Sequence, residues 1–381
     1  MVQKYFLKIL MRILHTESST DWGGQELRII NEMEQMQCRG HHVILACREL
    51  SPIWNAAHQK QLNLVNVPFI ESTFQWNTIK KIKHLISLEQ IEIVNTHSSV
   101  DSWVASLAAK RTDAVCIRSR HICSPLKNDV LHRIRHQYLT DAFITTGEAL
   151  RQDLIEQNGI APARVTSIPS GVEEKYFCSA SYDKQMVRRS LNITPDAFVW
   201  CMTAFMRKMK GHAVLLDAIA LLQRDFPDVH FIFVGGVDSQ ISVTEDILEQ
   251  STTLGIRDKC HFLGTRNDVP EILAGCNAFV LPSLFTEGLP QGLTQAMAMG
   301  LPVVSTDVGA ITEVLKHNET GYLVKAGNSE NLAHVMMMVM THYTEAKQKA
   351  DAAQQLISQH YSLDVMVNMV EQFYNRLLQK S

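Results

Sequence analysis

The chain has 381 residues, 46% of them hydrophobic and 20% charged, with a formal net charge of −3. That length suggests two or three domains at roughly 150 residues each, and the composition excludes collagen-like, low-complexity and disordered classes. No stretch approaches the roughly 18 consecutive apolar residues of a membrane span, and the charge gives no reason to expect nucleic acid as a partner. The eight cysteines are scattered without a Cys-x-x-Cys pair, which argues for reduced thiols in a cytosol rather than a disulfide framework or a zinc site.

Residues 1–10 are followed by a second methionine, Met11. Their apolar stretch is short and no small-residue cleavage site follows, so they read as an extension of the start or a short amphipathic helix rather than a signal peptide. From there, β-rich apolar runs alternate with helical periodicity. Strands are predicted at 13–15, 42–46, 64–67, 91–95, 115–118 and 142–145, with helices such as 25–39 and 78–87 between them. The pattern restarts with strands at 199–203, 230–234, 260–263, 278–281 and 302–305, and helices at 213–224, 243–254, 291–299 and 331–342. Strands that are apolar on both faces and separated by helices mean a parallel sheet covered on both sides. Two doubly wound α/β units in tandem follow. Their boundary is placed near 173–195, where Glu173-Glu174-Lys175 leads into a polar stretch and Asn192-Ile193-Thr194-Pro195 reads as a turn. A last amphipathic helix covers 362–378, with Val365, Val367, Val370, Phe373 and Leu377 at helical spacing.

Charge is uneven along this plan. Residues 1–180 carry 20 Lys and Arg against 18 Asp and Glu, and the remainder 16 against 21. The segment 110–135 holds seven basic residues (Lys110, Arg111, Arg118, Arg120, Lys127, Arg133 and Arg135) and two acidic ones, Asp113 and Asp129. Such a cluster is either a solvated face or a surface for an anionic lipid or anionic acceptor. Lys127, Arg133 and Arg135 are expected on one helix with Leu131 and Ile134 between them, a modest basic amphipathic face.

The chemistry concentrates after Leu281. A strand ends near Pro282, a loop carries Glu287, Gly288 and Leu289, Pro290 suits a helix start, and Gly300 ends that helix before Pro302-Val303-Val304. The strand end thus delivers a helix N-terminus, the usual ligand position in open α/β sheets and one that favours an anion such as a diphosphate. Glu287 at its mouth reads as a helix cap or as a ligand-holding carboxylate. Arg207 and Lys210 follow the first strand of the second unit, so they also stand at a carboxyl edge. Preorganised cations there stabilise a departing phosphate more in the transition state than in the ground state. Lys208 beside them is expected to be merely solvated. In the first unit, Gly23-Gly24 follows the first strand and precedes a helix with Leu27, Ile30 and Met33, where glycine lets backbone approach a ligand closely. Of sixteen histidines, His15, His97 and His121 follow predicted strands. A lone histidine at such a place is more often packed than catalytic, and His212 in Lys210-Gly211-His212 reads as structural.

Glu287-x7-Gln295 followed by Ala296-Met297-Ala298-Met299-Gly300-Leu301-Pro302-Val303-Val304 resembles the E-x7-E signature of retaining GT-B glycosyltransferases of family four. Other stretches resemble the same family in order: Gly23-Gly24-Gln25-Glu26, Gly40-His41-His42-Val43, Asn95-Thr96-His97, Ile168-Pro169-Ser170-Gly171, Arg207 to His212, Phe231 to Gly236, Phe262-Leu263-Gly264, Asp307-Val308-Gly309-Ala310 and Asn318 to Val324. The resemblance covers about residues 11–380.

The resemblance implies a GT-B fold, two Rossmann-like domains facing across a cleft. An acceptor-binding domain would occupy 11–180, a nucleotide-sugar-binding domain 181–361, and a helix at 362–381 would cross back to the first. It implies sugar transfer with retention from a nucleotide-diphosphate donor, UDP-sugar ahead of GDP- or ADP-sugar, to a glycan or lipid-linked acceptor in lipopolysaccharide or surface-polysaccharide assembly. The setting would be cytoplasmic or peripheral at the inner face of the plasma membrane. It assigns Glu287 and His121 to the reactive centre, with Glu287 holding sugar hydroxyls rather than acting as nucleophile. Gly23, Gly24, Arg207, Lys210, Gly288, Leu289 and Gln295 go to the donor, and His97 to the acceptor side. No metal is expected, because no Asp-x-Asp triplet occurs and cations with a helix N-terminus can balance the leaving group. Two departures stand out. Gln295 replaces the second Glu, so a hydrogen-bond acceptor for ribose survives without its charge. Only two residues separate Arg207 from Lys210, where relatives have four or five. A nucleotide-sugar-binding partner without turnover, and a nucleotide-sugar 2-epimerase on the same scaffold, remain the alternatives.

Overall fold

Runs such as Val43-Ile44-Leu45-Ala46 and Phe231-Ile232-Phe233-Val234 are apolar on both faces and rich in β-branched or aromatic residues, so they suit inner strands with helices on either side. In the computed structural model, which describes residues 10–70, 75–121, 129–236, 243–285 and 287–379, the chain forms two units, 1–171 with 363–381, and 172–362.

The first unit has seven described strands: β1 (Arg12–Glu17), β2 (His42–Cys47), β3 (Asn63–Asn66), β4 (Ile93–Thr96), β5 (Val115–Arg120), β6 (Ala142–Thr145) and β7 (Val165–Ser167). All pairings are parallel, in the order β3-β2-β1-β4-β5-β6-β7. The chain winds outward from β1 to β3, then returns to lay β4 against the other side of β1. That reversal makes the carboxyl ends of β1 and β4 a topological switch point, where a crevice for ligand opens.

The second unit repeats the plan with β8 (Phe198–Thr203), β9 (Val229–Val234), β10 (Cys260–Phe262), β11 (Ala278–Leu281), β12 (Val303–Thr306) and β13 (Tyr322–Val324), in the order β10-β9-β8-β11-β12-β13. Its switch point lies between β8 and β11. Both units are Rossmann-like. The predicted strands form, and β7 and β13, three residues each at sheet edges, lie outside the predicted set.

The tail helix Leu363–Leu378 belongs to the first unit. It buries Met366, Val367, Val370, Phe373 and Tyr374 in the core formed by Ile13, Ile30, Met33, Val43 and Ile117. Arg39 fastens its exposed side through Asp364 and, at 2.8 Å, Glu371. The boundary between units falls at 171–172 rather than 180. Val172 is 3% exposed, donates its N–H to Tyr361 O, and packs with Phe177 and Tyr182 on the second core, so residues 172–180 are held by the second unit. Residues 1–9 lie outside the described chain. No helix among the described residues is long and apolar enough to cross a membrane.

Candidate active site

In the second unit the loops after β8, β11 and β12 are locked together by backbone contacts that leave no room for side chains. Gly211, at φ +75°, sits so close to Pro282 O that a Cβ there would come within 1.9 Å of it. A Cβ on Gly309, at φ +53°, would come within 2.4 Å of the Glu287 backbone, and Ala310 N–H donates to Glu287 O at 2.9 Å. Leu284 N–H donates to Met209 O at 2.8 Å, tying the Glu287 loop to the turn Lys208–Lys210.

This frame brings Lys210 and Glu287 together at the β8/β11 switch point. Lys210 Nζ donates to Glu287 Oε2 at 2.5 Å, and Ser283 Oγ donates to Oε1. Glu287 is 6% exposed. The helix that follows, Gln291–Ala298, has Pro290 at its N-cap and takes no side-chain cap, so Glu287 is not a capping residue. Its carboxylate is an oriented, buried acceptor with a cation beside it. Gly288 and buried Leu289 connect it to that helix, whose N-terminal end carries partial positive charge toward the same region. Gly292 lets the helix lie against β8, since a Cβ there would meet Thr203 Oγ1 at 2.1 Å. Gln295 is half-buried, and its amide has no protein partner among the described residues.

Arg207 is half-buried with its guanidinium over the Phe205 ring, 5.0 Å from the centroid. Arg207 and Lys210 therefore share one turn, despite the shortened spacing. Lys208 between them is exposed. His212 is buried at the base of this turn, and burial pulls its ring down to about 4.

In the first unit, Gly24 opens the helix Gly24–Cys38, with Gly23 at the N-cap donating its N–H to Glu26 Oε2 at 2.8 Å. Around this loop lies a buried carboxylate cluster that sequence reasoning did not find. Glu17, at the end of β1, accepts from Ser19 N–H (2.7 Å), Gln25 Nε2 (2.6 Å) and Ser98 Oγ (2.5 Å). Asp101 accepts from Thr16 Oγ1 (2.8 Å), His97 N–H (3.0 Å) and Ser98 N–H (2.9 Å). Burial first, and the Asp101 charge second, push Glu17 up to about 7, and burial with the Glu17 charge does the same to Glu26. The cluster fastens the Gly23-Gly24 loop to the β4 loop.

His15, His97 and His121 stand at the carboxyl ends of the adjacent strands β1, β4 and β5. His15 Nδ1 meets His97 Nε2 at 2.9 Å, and His97 Nδ1 meets His121 Nε2 at 2.9 Å. His97 is 5% exposed with both ring nitrogens engaged, so it has none left for an acceptor molecule, contrary to the expectation for it. His121 is half-buried. Burial pulls His97 and His121 well below the usual imidazole range, so both rings are neutral at neutral pH.

The expected basic face over 110–135 forms only in part. Arg118 and Arg135 are each 1% exposed, Arg135 lying over the Trp103 ring at 4.8 Å, while Lys110, Arg111 and Arg133 are exposed. Packing of the helix Val130–Ile134 and the wide turn Arg135–Leu139 turns Arg135 inward and leaves Val130, Leu131, Ile134 and Tyr138 outside. Lys127 lies outside the described residues. A cavity of about 640 Å³ opens at the other end of the first sheet, lined by Lys83, Glu92, Arg111 and Asp113, and holds none of the predicted site residues. Among the described residues, no group of three His, Cys, Asp or Glu side chains is placed to hold a metal ion.

Comparison with known proteins relates the chain to glycosyltransferases. Residues 22–176 match the family described as Glycosyltransferase Family 4, and residues 183–356 match Glycosyl transferases group 1. A relative from Escherichia coli, named UDP-Gal:alpha-D-GlcNAc-diphosphoundecaprenol alpha-1,3-galactosyltransferase, is 22% identical over 346 residues, covering 86% of this chain and 88% of that protein. Among solved structures, a glycosyltransferase from Rickettsia africae superposes with a TM-score of 0.89 at 21% identity, covering 98% of this chain and all 100% of that one. The Anabaena protein HepE, solved with UDP and glucose, superposes with a TM-score of 0.85 at 19% identity, covering 96% and 100%.

Proposed function

The chain belongs to the family 4 glycosyltransferases, with the GT-B fold, and from that premise we propose that it moves a sugar from a UDP-sugar to an acceptor hydroxyl with retention at the anomeric carbon. The observation that carries this reading is the Lys210–Glu287 pair at the β8/β11 switch point. A buried carboxylate oriented by Ser283 and Lys210 suits sugar hydroxyls, which donate hydrogen bonds, and developing positive charge at the anomeric carbon. Arg207, Lys210 and the N-terminus of the helix Gln291–Ala298 form the positive side that receives the departing diphosphate, with no metal required. Gln295 accepts from ribose hydroxyls, and Gly288-Leu289 brings backbone to the sugar. Gly23-Gly24 approaches the donor diphosphate or the acceptor, and His121 meets a hydroxyl near the reactive carbon.

With no carboxylate offered as nucleophile, the leaving phosphate itself assists the incoming hydroxyl on the same face of the sugar. UDP is favoured as the nucleotide because HepE was solved with UDP and with UDP-glucose. A lipid-linked acceptor, and a place in surface-polysaccharide or lipopolysaccharide assembly at the inner face of the plasma membrane, draw on the diphosphoundecaprenol in the name of the Escherichia coli relative. The exposed side chains of Val130, Leu131, Ile134 and Tyr138 beside Arg133 supply a surface suited to that setting.

A thermal-shift screen against UDP-, GDP- and ADP-sugars tests the donor. The matching ligand raises the melting temperature by mass action. A shift with GDP- or ADP-sugars alone contradicts UDP, and no shift with any of them contradicts donor binding.

A further inference from the structure

The three histidines continue into the core of the first unit. His15 Nε2 faces Glu32 Oε1 at 3.7 Å, and Arg28 Nε lies 3.9 Å from Glu32 Oε2. Tyr374, from the tail helix, donates its hydroxyl to Glu32 Oε1 at 2.9 Å. Asn95 Nδ2 in turn donates to the Tyr374 oxygen at 2.8 Å, and Ser119 Oγ donates to Asn95 Oδ1 at 2.9 Å. His15, Glu32, Asn95 and Tyr374 are all within 2% of complete burial.

The direction of hydrogen bonding through the rings then follows from chemistry. A carboxylate only accepts, and a neutral imidazole carries one N–H. His15 Nε2 makes no hydrogen bond among the described residues, but at 3.7 Å from Glu32 Oε1 the charge of that oxygen favours a proton on Nε2 and repels a bare ring nitrogen. Its Nδ1 is left as an acceptor and takes the Nε2 proton of His97. His97 Nδ1 accepts in the same way from His121 Nε2–H. The rings of His15 and His97 lie within 7° of one plane, which suits in-plane bonds of this kind.

We propose that Glu32 fixes His121, through His15 and His97, as the tautomer with a bare Nδ1, so that His121 accepts a hydrogen bond from a substrate hydroxyl and disfavours phosphate or carboxylate oxygens at that position. Glu32, His15, His97 and Tyr374 are positioning residues in this account. The identity of the hydroxyl as one on donor sugar or acceptor rests on the transferase reading above, whereas the tautomer does not. The burial that keeps these rings neutral supports the same arrangement.

Long-range proton–nitrogen spectra of the full chain, labelled with ¹⁵N-histidine, test this directly. Single His→Gln variants assign the three rings. In the native protein near neutral pH, His15, His97 and His121 each carry the proton on Nε2. In Glu32→Leu no oxygen faces His15 and the order is no longer imposed: His121 gains an Nδ1–H signal, kcat falls at least about tenfold, and KM for the nucleotide sugar stays within about twofold. An Nδ1–H tautomer of His121 in the native protein overturns the proposal without any variant having to fold. So does a folded Glu32→Leu protein with unchanged tautomer and kcat. An Nε2–H tautomer in a native protein that transfers no sugar upholds the relay and removes the transferase reading instead.

Discussion

Lys210 and Glu287 reach each other from the turns after β8 and β11, 77 positions apart in sequence, and close to 2.5 Å between Nζ and Oε2. Glu287→Gln keeps the shape and the Ser283 contact but removes the charge. Turnover is expected to fall by at least about 100-fold in a folded protein, as for loss of a preorganised electrostatic group. Steady-state kinetics with circular dichroism checks this, and near-native turnover contradicts a role for Glu287 at the reacting sugar.

Arg207→Ala or Lys210→Ala is expected to weaken the intact nucleotide sugar more than the free nucleoside, because the phosphates are what the cations meet. Lys208→Ala, at an exposed position on the same turn, changes neither. Calorimetric titration with both ligands reads the difference. Equal losses for the two would remove the diphosphate assignment.

Gln295 tests the departure from the E-x7-E pattern. Gln295→Glu is expected to preserve or tighten nucleotide binding, and Gln295→Ala to weaken it by about 1–3 kcal/mol through unpaired ribose hydroxyls. Titration of the three proteins with UDP decides. Identical affinities would mean that this position has left the nucleotide site.

Arg207, Lys210 and Glu287 could be singled out in the sequence for a physical reason. They stand directly after predicted strands, and the carboxyl ends of strands are where doubly wound sheets bind ligands. The relay behind His121 was not legible. Glu32, Asn95 and Tyr374 come from a helix face, a strand and the tail helix, and only the packing of Val367, Val370 and Phe373 on the first core brings the tyrosine to the glutamate. The misreading of Arg135 has the opposite origin. Charge invites an exposed placement, but a guanidinium can be buried over Trp103, and that is a tertiary outcome without a local signal.

Stability should depend on pH through the carboxylate cluster. Glu17 and Glu26 are held at about 7 against an ordinary 4.5, so the folded chain binds more protons than the unfolded one across that window. Their contribution is complete below about 4.5 and is lost as pH rises through about 7. His97 and His121, lying below 6.5, act with the opposite sign and favour the folded state as pH rises to that value. Glu17→Gln isolates the first effect. The stability of native minus variant protein should decline by on the order of 2 kcal/mol between about pH 5 and about pH 8. Urea denaturation of the full chain measures it, and a pH-independent difference contradicts the burial argument.

The exposed face after Asp129 predicts membrane association. Val130 is 72% exposed, Leu131 56%, Ile134 41% and Tyr138 69%, with exposed Arg133 among them. The full chain is expected to sediment with vesicles rich in anionic lipid and less with neutral ones, with salt weakening the difference. Leu131→Asp with Ile134→Asp and Arg133→Glu should abolish it. Unchanged sedimentation of this triple variant would show that the face only meets solvent.

The anomeric configuration of the product decides whether sugar is transferred with retention. Incubation with an α-linked UDP-sugar and a diphosphate-lipid acceptor, followed by NMR of the new linkage, should show an α-glycoside formed together with an equal amount of free UDP. A β-glycoside would contradict retention, and an isomerised UDP-sugar without free UDP would contradict transfer itself.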